Sequence, residues 1–230
     1  LDFAHIIGRF KELLYGLELD QKKKYPNYYT DRERRRRSNE QEKQGALDTC
    51  ATEEEKEEVL RDSEPMGEVD LFEPHPKFVL YAKSPLSRPE FEKILADVAT
   101  TDFHGDLVRA RAHPVMRALR RGIGLFVDEV TLQAYKRNVM RLATEGKLGV
   151  VFSDESLAFG VNMPFRACVF CGDMGGKLNT TLVQQMSGRA GRRGLDTQGH
   201  LVYAGASSSF VKSMLIAEIP AVKGLSLIHI

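Results

Sequence analysis

Residues 148–172 read LGVVFSDESLAFGVNMPFRACVFCG. Two short apolar runs, LGVVFS (148–153) and RACVFCG (166–172), flank a polar and glycine-bearing connection. Runs of that length, rich in Val and Phe and lacking alternation, predict strands buried on both faces. The same texture recurs outward in FVLYAK (78–83), GIGLFVD (122–128) and HLVYAG (200–205). Helical patterns lie between these runs at 89–99, 107–121, 130–145 and 180–193, the first with Pro89 in a first-turn position. Strand alternating with helix predicts an α/β domain whose parallel sheet is flanked by helices. Ligands of such sheets bind beyond the carboxyl ends of the strands, which directs attention to the loops after residues 153 and 172.

The chain divides by texture at about residue 67. Before it, Phe3, Ile6, Ile7, Phe10, Leu13, Leu14 and Leu17 recur at steps of three and four, which predicts a helix with one apolar face. Beyond Gly16 the apolar signal fades into a basic block (Lys22–Lys24, Arg34–Arg37) and an acidic one (Glu53–Glu55, Glu57, Glu58). Such blocks form solvated helix or disorder, or, for the basic one, an RNA-touching arm. The division expected is a charged helical or disordered excursion at 1–66, an α/β domain at 67–215 and a tail at 216–230. The last residues, GLSLIHI, carry no readable pattern.

The 230 residues hold 42% apolar side chains, enough for a core, and a net charge of +1. Any nucleic-acid contact must therefore come from a local patch rather than a global polyanion-binding charge. No run of 18 apolar residues predicts a membrane span, and the amphipathic start lacks the order of a signal peptide. Three cysteines, an odd number, suit a reducing setting inside the cell. A cytoplasmic location is expected, with the nucleus left open. The first residue is Leu1 rather than Met, and the chain is expected to be part of a longer protein.

The second decisive stretch is QQMSGRAGRRG (184–194), three arginines and three glycines close together in a chain with almost no net charge. With 180–193 as a helix capped by Asn179 or Thr180, Gln185, Arg189 and Arg192 fall within a sector of about 60°. Leu182, Val183, Met186 and Ala190 fall on the adjoining face, suited to packing on a sheet. Gly188 and Gly191 let another surface approach, and two helical glycines cost about 2 kcal/mol relative to alanine, which argues against chance decoration. A guanidinium is a planar fork that matches phosphate oxygens, and two together suit the charge on a transferring phosphoryl group.

Gln185, Gly188, Arg189 and Arg192 spell Q-x-x-G-R-x-x-R, which resembles the sixth motif of superfamily 2 DExD/H-box RNA helicases; QMSGRAGRRG is similar to the version in the superkiller branch, antiviral-type members included. SDESLAFGVNMPFRACVFCGD (153–173) resembles the branch's fifth motif, and Arg121-Gly122-Ile123-Gly124 matches the lead-in to the segment before it. The resemblance covers roughly residues 75–215, with the motifs in the family's order. It implies the second of two RecA-like domains that clamp ATP between them and RNA across them. Arg189 and Arg192 would then be arginine fingers reaching the γ-phosphate, and Gln185 would touch phosphate or the attacking water. Gly188 would admit the nucleotide, and Gly160 and Asn162 would couple nucleotide to RNA. Ser156 would hold an RNA phosphate, a contact that positions a strand without reading its sequence. The implied cofactors are ATP and Mg2+, held mainly by the first RecA-like domain in cis, and the implied partner is RNA.

The chain also departs from the family's pattern. No G-x-x-x-x-G-K-[ST] occurs, so the phosphate-cradling loop is missing and this chain alone is expected not to hydrolyse ATP. Asp154 and Glu155 belong to the fifth motif and read as no magnesium ligands. Where the family often has H-H-[AS]-G-L, this chain has Leu125-Phe126-Val127-Asp128-Glu129. The rival reading is a nonenzymatic RNA-binding or signalling adaptor on the same fold, relying on the basic block at 22–37 and on Ser156.

The remaining constellations have plain readings. Cys168 and Cys171 on one strand read as buried structural thiols, and the six histidines show no metal-ligand spacing. Tyr25, Tyr28 and Tyr29 lie between basic blocks and are either packed or free to stack on bases. Ser207, Ser208 and Ser209 read as a loop.

Overall fold

The computed structural model describes residues 3–49, 74–158, 165–172, 176, 178–191 and 196–216. Its elements in chain order are α1 (Phe3–Lys24), α2 (Asn27–Thr49), a 3-10 turn (Pro76–Phe78), α3 (Arg88–Asp102), α4 (Leu107–Ala112), α5 (Pro114–Arg120), β1 (Ile123–Phe126) and α6 (Gln133–Glu145). There follow β2 (Val150–Ser153), a second 3-10 turn (Glu155–Ala158), β3 (Ala167–Cys171), α7 (Thr180–Ser187), β4 (His200–Ala204) and α8 (Ser208–Ile216). The protein is an α/β fold with parallel sheets flanked by helices, compatible with a RecA-like domain. The acidic block at 53–58 and the tail at 224–230 lie outside the described residues.

Among the described residues the strands form two parallel pairs. β1 pairs with β2 in the register Ile123 to Val150, and β3 pairs with β4 in the register Ala167 to His200. Connection through α6 makes the first pair a β-α-β unit, the minimum that parallel pairing permits. Among these four strands only β1 is buried at every position. In β2, β3 and β4, Val150, Phe152, Val169, Leu201 and Val202 are exposed, Val169 to 54%. The expectation of strands buried on both faces therefore holds for β1 alone: the helices α3, α5 and α6 cluster around β1, and the other strands have fewer elements laid over them.

FVLYAK (78–83) is not a strand. Its backbone donors go to loop carbonyls: Leu80 N–H to Arg121 at 2.8 Å, Ala82 and Lys83 N–H to Gly146 at 3.1 and 2.7 Å. The segment thus crosses the base of the β1–β2 pair as a strap. Gly122 admits it: at φ +75° an added Cβ would lie 1.6 Å from the Leu80 carbonyl oxygen. The helix expected at 107–121 is two helices. His113, extended at ψ 135°, precedes Pro114, and the proline ring disfavours a helical residue before it.

The main core joins Phe91, Ile94, Leu95 and Val98 of α3 and Val115, Met116 and Leu119 of α5 to Ile123 and Leu125 of β1 and Val139 and Leu142 of α6. Ile7, Phe10 and Leu14 of α1 belong to the same cluster, as their spacing predicts for the apolar face of a helix. Polar links reinforce the seating of α1. Glu18 pairs with Arg117, and Arg121 Nη1 donates to Gln21 Oε1 at 3.0 Å with both residues buried. Phe10 also meets Phe152 of β2 edge-on at 5.9 Å. Tyr135 of α6 is fully buried, with its hydroxyl accepting from Leu125 N–H at 3.0 Å, so β1 is tied to α6 by a side chain as well as by packing. A smaller cluster of Phe170, Leu178, Leu182, Val183 and Met186 fastens α7 to β3.

Candidate nucleotide and RNA site

The site is built at the carboxyl end of β2 and at the end of α7. β2 delivers Asp154 at its tip. The Asp154 carboxylate accepts from Asp128 N–H at 2.8 Å, from Ser156 N–H at 2.9 Å and from the Ser156 hydroxyl. One acidic side chain thus ties the loop after β1 to the 3-10 turn that opens the fifth-motif segment. Hydrogen bonds to an ionised acceptor are roughly twice as strong as neutral ones, which makes this a firm local anchor. Ser156 is half-buried, with its hydroxyl proton directed at Asp154.

Asn179 opens α7, its side chain accepting from Leu182 N–H at 3.0 Å, so of the two caps expected, Asn179 and Thr180, Asn179 serves. Leu182, Val183 and Met186 face the second core cluster, and Gln185 points to solvent. α7 packs against the 3-10 turn of Glu155–Ala158, bringing the start of the fifth-motif segment beside the sixth.

The helix expected at 180–193 ends at Ser187, with Gly188 as its C-cap. Arg189 therefore does not share a helical face with Gln185. The reason is a long-range partner. Gly191 N–H, which a continuing helix would give to Ser187, donates instead to the Phe165 carbonyl at 2.7 Å, and Phe165 N–H donates to Arg189 at 3.3 Å. Phe165 and Ala190 form a parallel bridge. Gly191 sits at φ +92°, a conformation glycine adopts without strain. Gly199 packs against the same turn, with an added Cβ 2.5 Å from the Ala190 carbonyl oxygen. The second half of the fifth-motif segment, at Phe165, and the arginine turn of the sixth are thereby stitched backbone to backbone.

Among the predicted site residues, then, Gln185 and Gly188 are exposed at the end of α7, Arg189 is half-buried in the stitched turn and Ser156 lies at the tip of β2. Gly160, Asn162 and Arg192 lie outside the described residues. The organising roles of Asp154, Phe165 and Gly199 are the ones sequence reasoning missed. A glycine followed by a strand was the only visible hint for Gly199.

Cys168 is half-buried and Cys171 exposed, which corrects the expectation that both are buried; β3 has one face on the small cluster and the other open. Burial pushes the Cys168 thiol up from its ordinary range, as fits a packed thiol. Among the described residues no three His, Cys, Asp or Glu side chains converge on a metal-sized site, and no helix is long and apolar enough to cross a membrane. Tyr25 stacks on His75 at 3.8 Å, and Tyr28 meets the same ring and donates to the Pro74 carbonyl, so both are packed. Ser207 Oγ accepts from Phe210 N–H and caps α8.

No family model matches the chain. Curated proteins do. An uncharacterized helicase of Dictyostelium discoideum is 32% identical over 60% of this chain, and the probable ATP-dependent RNA helicase DDX60-like of Homo sapiens 33% over 58%. The exosome RNA helicase MTR4 of Homo sapiens is 36% identical over 38% of this chain. The chain spans only 8%, 7% and 9% of the lengths of these relatives, respectively. These likenesses and the α/β architecture support a helicase-type domain.

Proposed function

We propose that this chain supplies the second RecA-like domain of an ATP-dependent RNA helicase, made of residues 67–215 with the charged segment 1–66 joined to it. The observation that carries the reading is the stitching of Phe165 to Arg189 and Gly191, because it unites two segments that are distant in the chain and alike in the chemistry they suggest. The likeness to RNA helicases supports the choice of substrate.

In this reading Arg189 and Arg192 stabilise the charge that develops on the γ-phosphoryl group of ATP held by the first domain in cis, as fixed positive groups do best. Gln185, exposed at the end of α7, orients phosphate or the attacking water. Gly188 leaves room for the nucleotide to approach. Gly160 and Asn162 would couple the nucleotide to RNA. Ser156, released from Asp154, turns its hydroxyl to an RNA phosphate. Mg2+ would be held mainly by the first domain, with none of the described residues as its ligands, and would supply positive charge that neutralises the phosphates.

The test is RNA-stimulated ATP hydrolysis by the complete protein containing this chain, with Arg192→Ala beside the wild type. A drop in turnover of about 100-fold or more with ATP binding retained supports a finger acting on the transition state. A wild type that holds RNA but shows no turnover would hand the fold to the adaptor reading instead.

A further inference from the structure

α2 carries a face that the helicase motifs leave unused. Thr30, Arg34, Arg37, Ser38 and Gln41 line an open groove of ≈ 460 Å³, and all five are exposed. At about 100° per residue these positions fall within a sector of about 100°. Between Thr30 and Gln41 no Asp or Glu position falls inside that sector. Among the described residues the lining is two guanidiniums, two hydroxyls and an amide, every one able to donate a hydrogen bond. These are the side-chain types that contact nucleic-acid phosphates, as distinct from base edges. Arg34 and Arg37 stand about one turn apart, with an axial rise of about 4.5 Å, so both forks can address one backbone.

The start of α2 is held to the domain. Tyr25 and Tyr28 pack on His75, Tyr28 is bonded to Pro74, and Lys24 and Lys77 lie over Phe78 and Tyr25 at 5.7 Å each. α1, which leads into it, is seated in the main core through Leu14 and the Gln21–Arg121 hydrogen bond. A ligand on the Arg34–Arg37 stripe would therefore be carried on a helix whose near end is docked.

We propose that the Thr30–Arg34–Arg37–Ser38–Gln41 stripe of α2 is a second, sequence-independent binding site for the phosphate backbone of single-stranded RNA, separate from the site at β2 and α7. The inference rests on the helicase reading only for choosing RNA among polyanions. It is judged by binding without nucleotide, whereas the helicase reading is judged by turnover, so either can fail alone.

The probe is a fluorescein-labelled 20-nucleotide oligouridylate titrated with the 230-residue chain at several KCl concentrations. R34Q/R37Q is compared with wild type. Gln matches Arg in helix propensity, so α2 stays helical, which circular dichroism checks. Affinity is expected to fall about tenfold or more. The slope of log K against log salt is expected to shrink by about 1.4, since each phosphate contact on a single strand contributes about 0.7. R34K/R37K, which keeps the charge without the fork, is expected to keep the slope and to bind about threefold more weakly. Unchanged affinity and slope in R34Q/R37Q would overturn the proposal. So would displacement of the RNA by polyglutamate at equal charge, which would assign the stripe to an acidic protein segment.

Discussion

Gly199→Ala isolates the stitched arginine turn from the arginines themselves. The added Cβ would stand 2.5 Å from the Ala190 carbonyl oxygen and 2.8 Å from Gly191 N, where ordinary contact begins at 3.4 Å. The obstructing atoms are backbone and no side chain can swing aside, so the turn must retreat by about 0.9 Å or lose its bonds to Phe165. Two backbone hydrogen bonds are at stake, each about 0.5–1.5 kcal/mol net, so stability falls by about 1–3 kcal/mol. For a domain of this size that lowers Tm by roughly 2–12 °C. The functional effect is larger. A misplacement near 1 Å of groups aimed at a transition state costs on the order of 100-fold in rate. Assayed as RNA-stimulated ATP hydrolysis by the complete protein, Gly199→Ala should lower kcat by about two orders of magnitude and leave the KM for ATP within about threefold. The chain should stay folded by circular dichroism. A folded variant with kcat within twofold of wild type would refute the reasoning, because it would mean that the position of Arg189 does not depend on the turn.

Two further outcomes test the fold. Leu14→Ala should destabilise the chain by about 2–5 kcal/mol in urea unfolding, because Leu14 is 1% exposed and deletion leaves a cavity among α1, α5 and their neighbours; a loss under about 0.5 kcal/mol would mean that α1 is not part of the main core. The second concerns pH. His113 is held below its ordinary value by burial first and then by Lys11 and Arg109. The unfolded chain therefore binds the extra proton first as pH drops through about 6.5, so Tm should decline below that point and level off beneath the folded value, and His113→Gln should flatten the decline.

Local pattern was enough for much of the architecture. Apolar runs marked β1 to β4, three-and-four spacing marked α1, a helical pattern marked α6, and Asn179 or Thr180 marked the start of α7. These features depend on neighbours a few residues away, so the sequence alone determines them. The nature of the site chemistry, arginines and glycines beside a strand end, was legible for the same reason. What tertiary structure decided is where each backbone donor found its acceptor. FVLYAK has strand texture, yet the nearest carbonyls are those of Arg121 and Gly146, so it became a strap. QQMSGRAGRRG has a helical register, yet Phe165 offers Gly191 an acceptor outside the helix, so α7 stops at Ser187 and the arginine turn is set against the fifth-motif segment. α1 has an apolar face in either setting, and only the fold supplies Glu18 and Gln21 with Arg117 and Arg121. A backbone N–H removed from water must find some acceptor, and periodicity does not encode which distant one the packed chain will present.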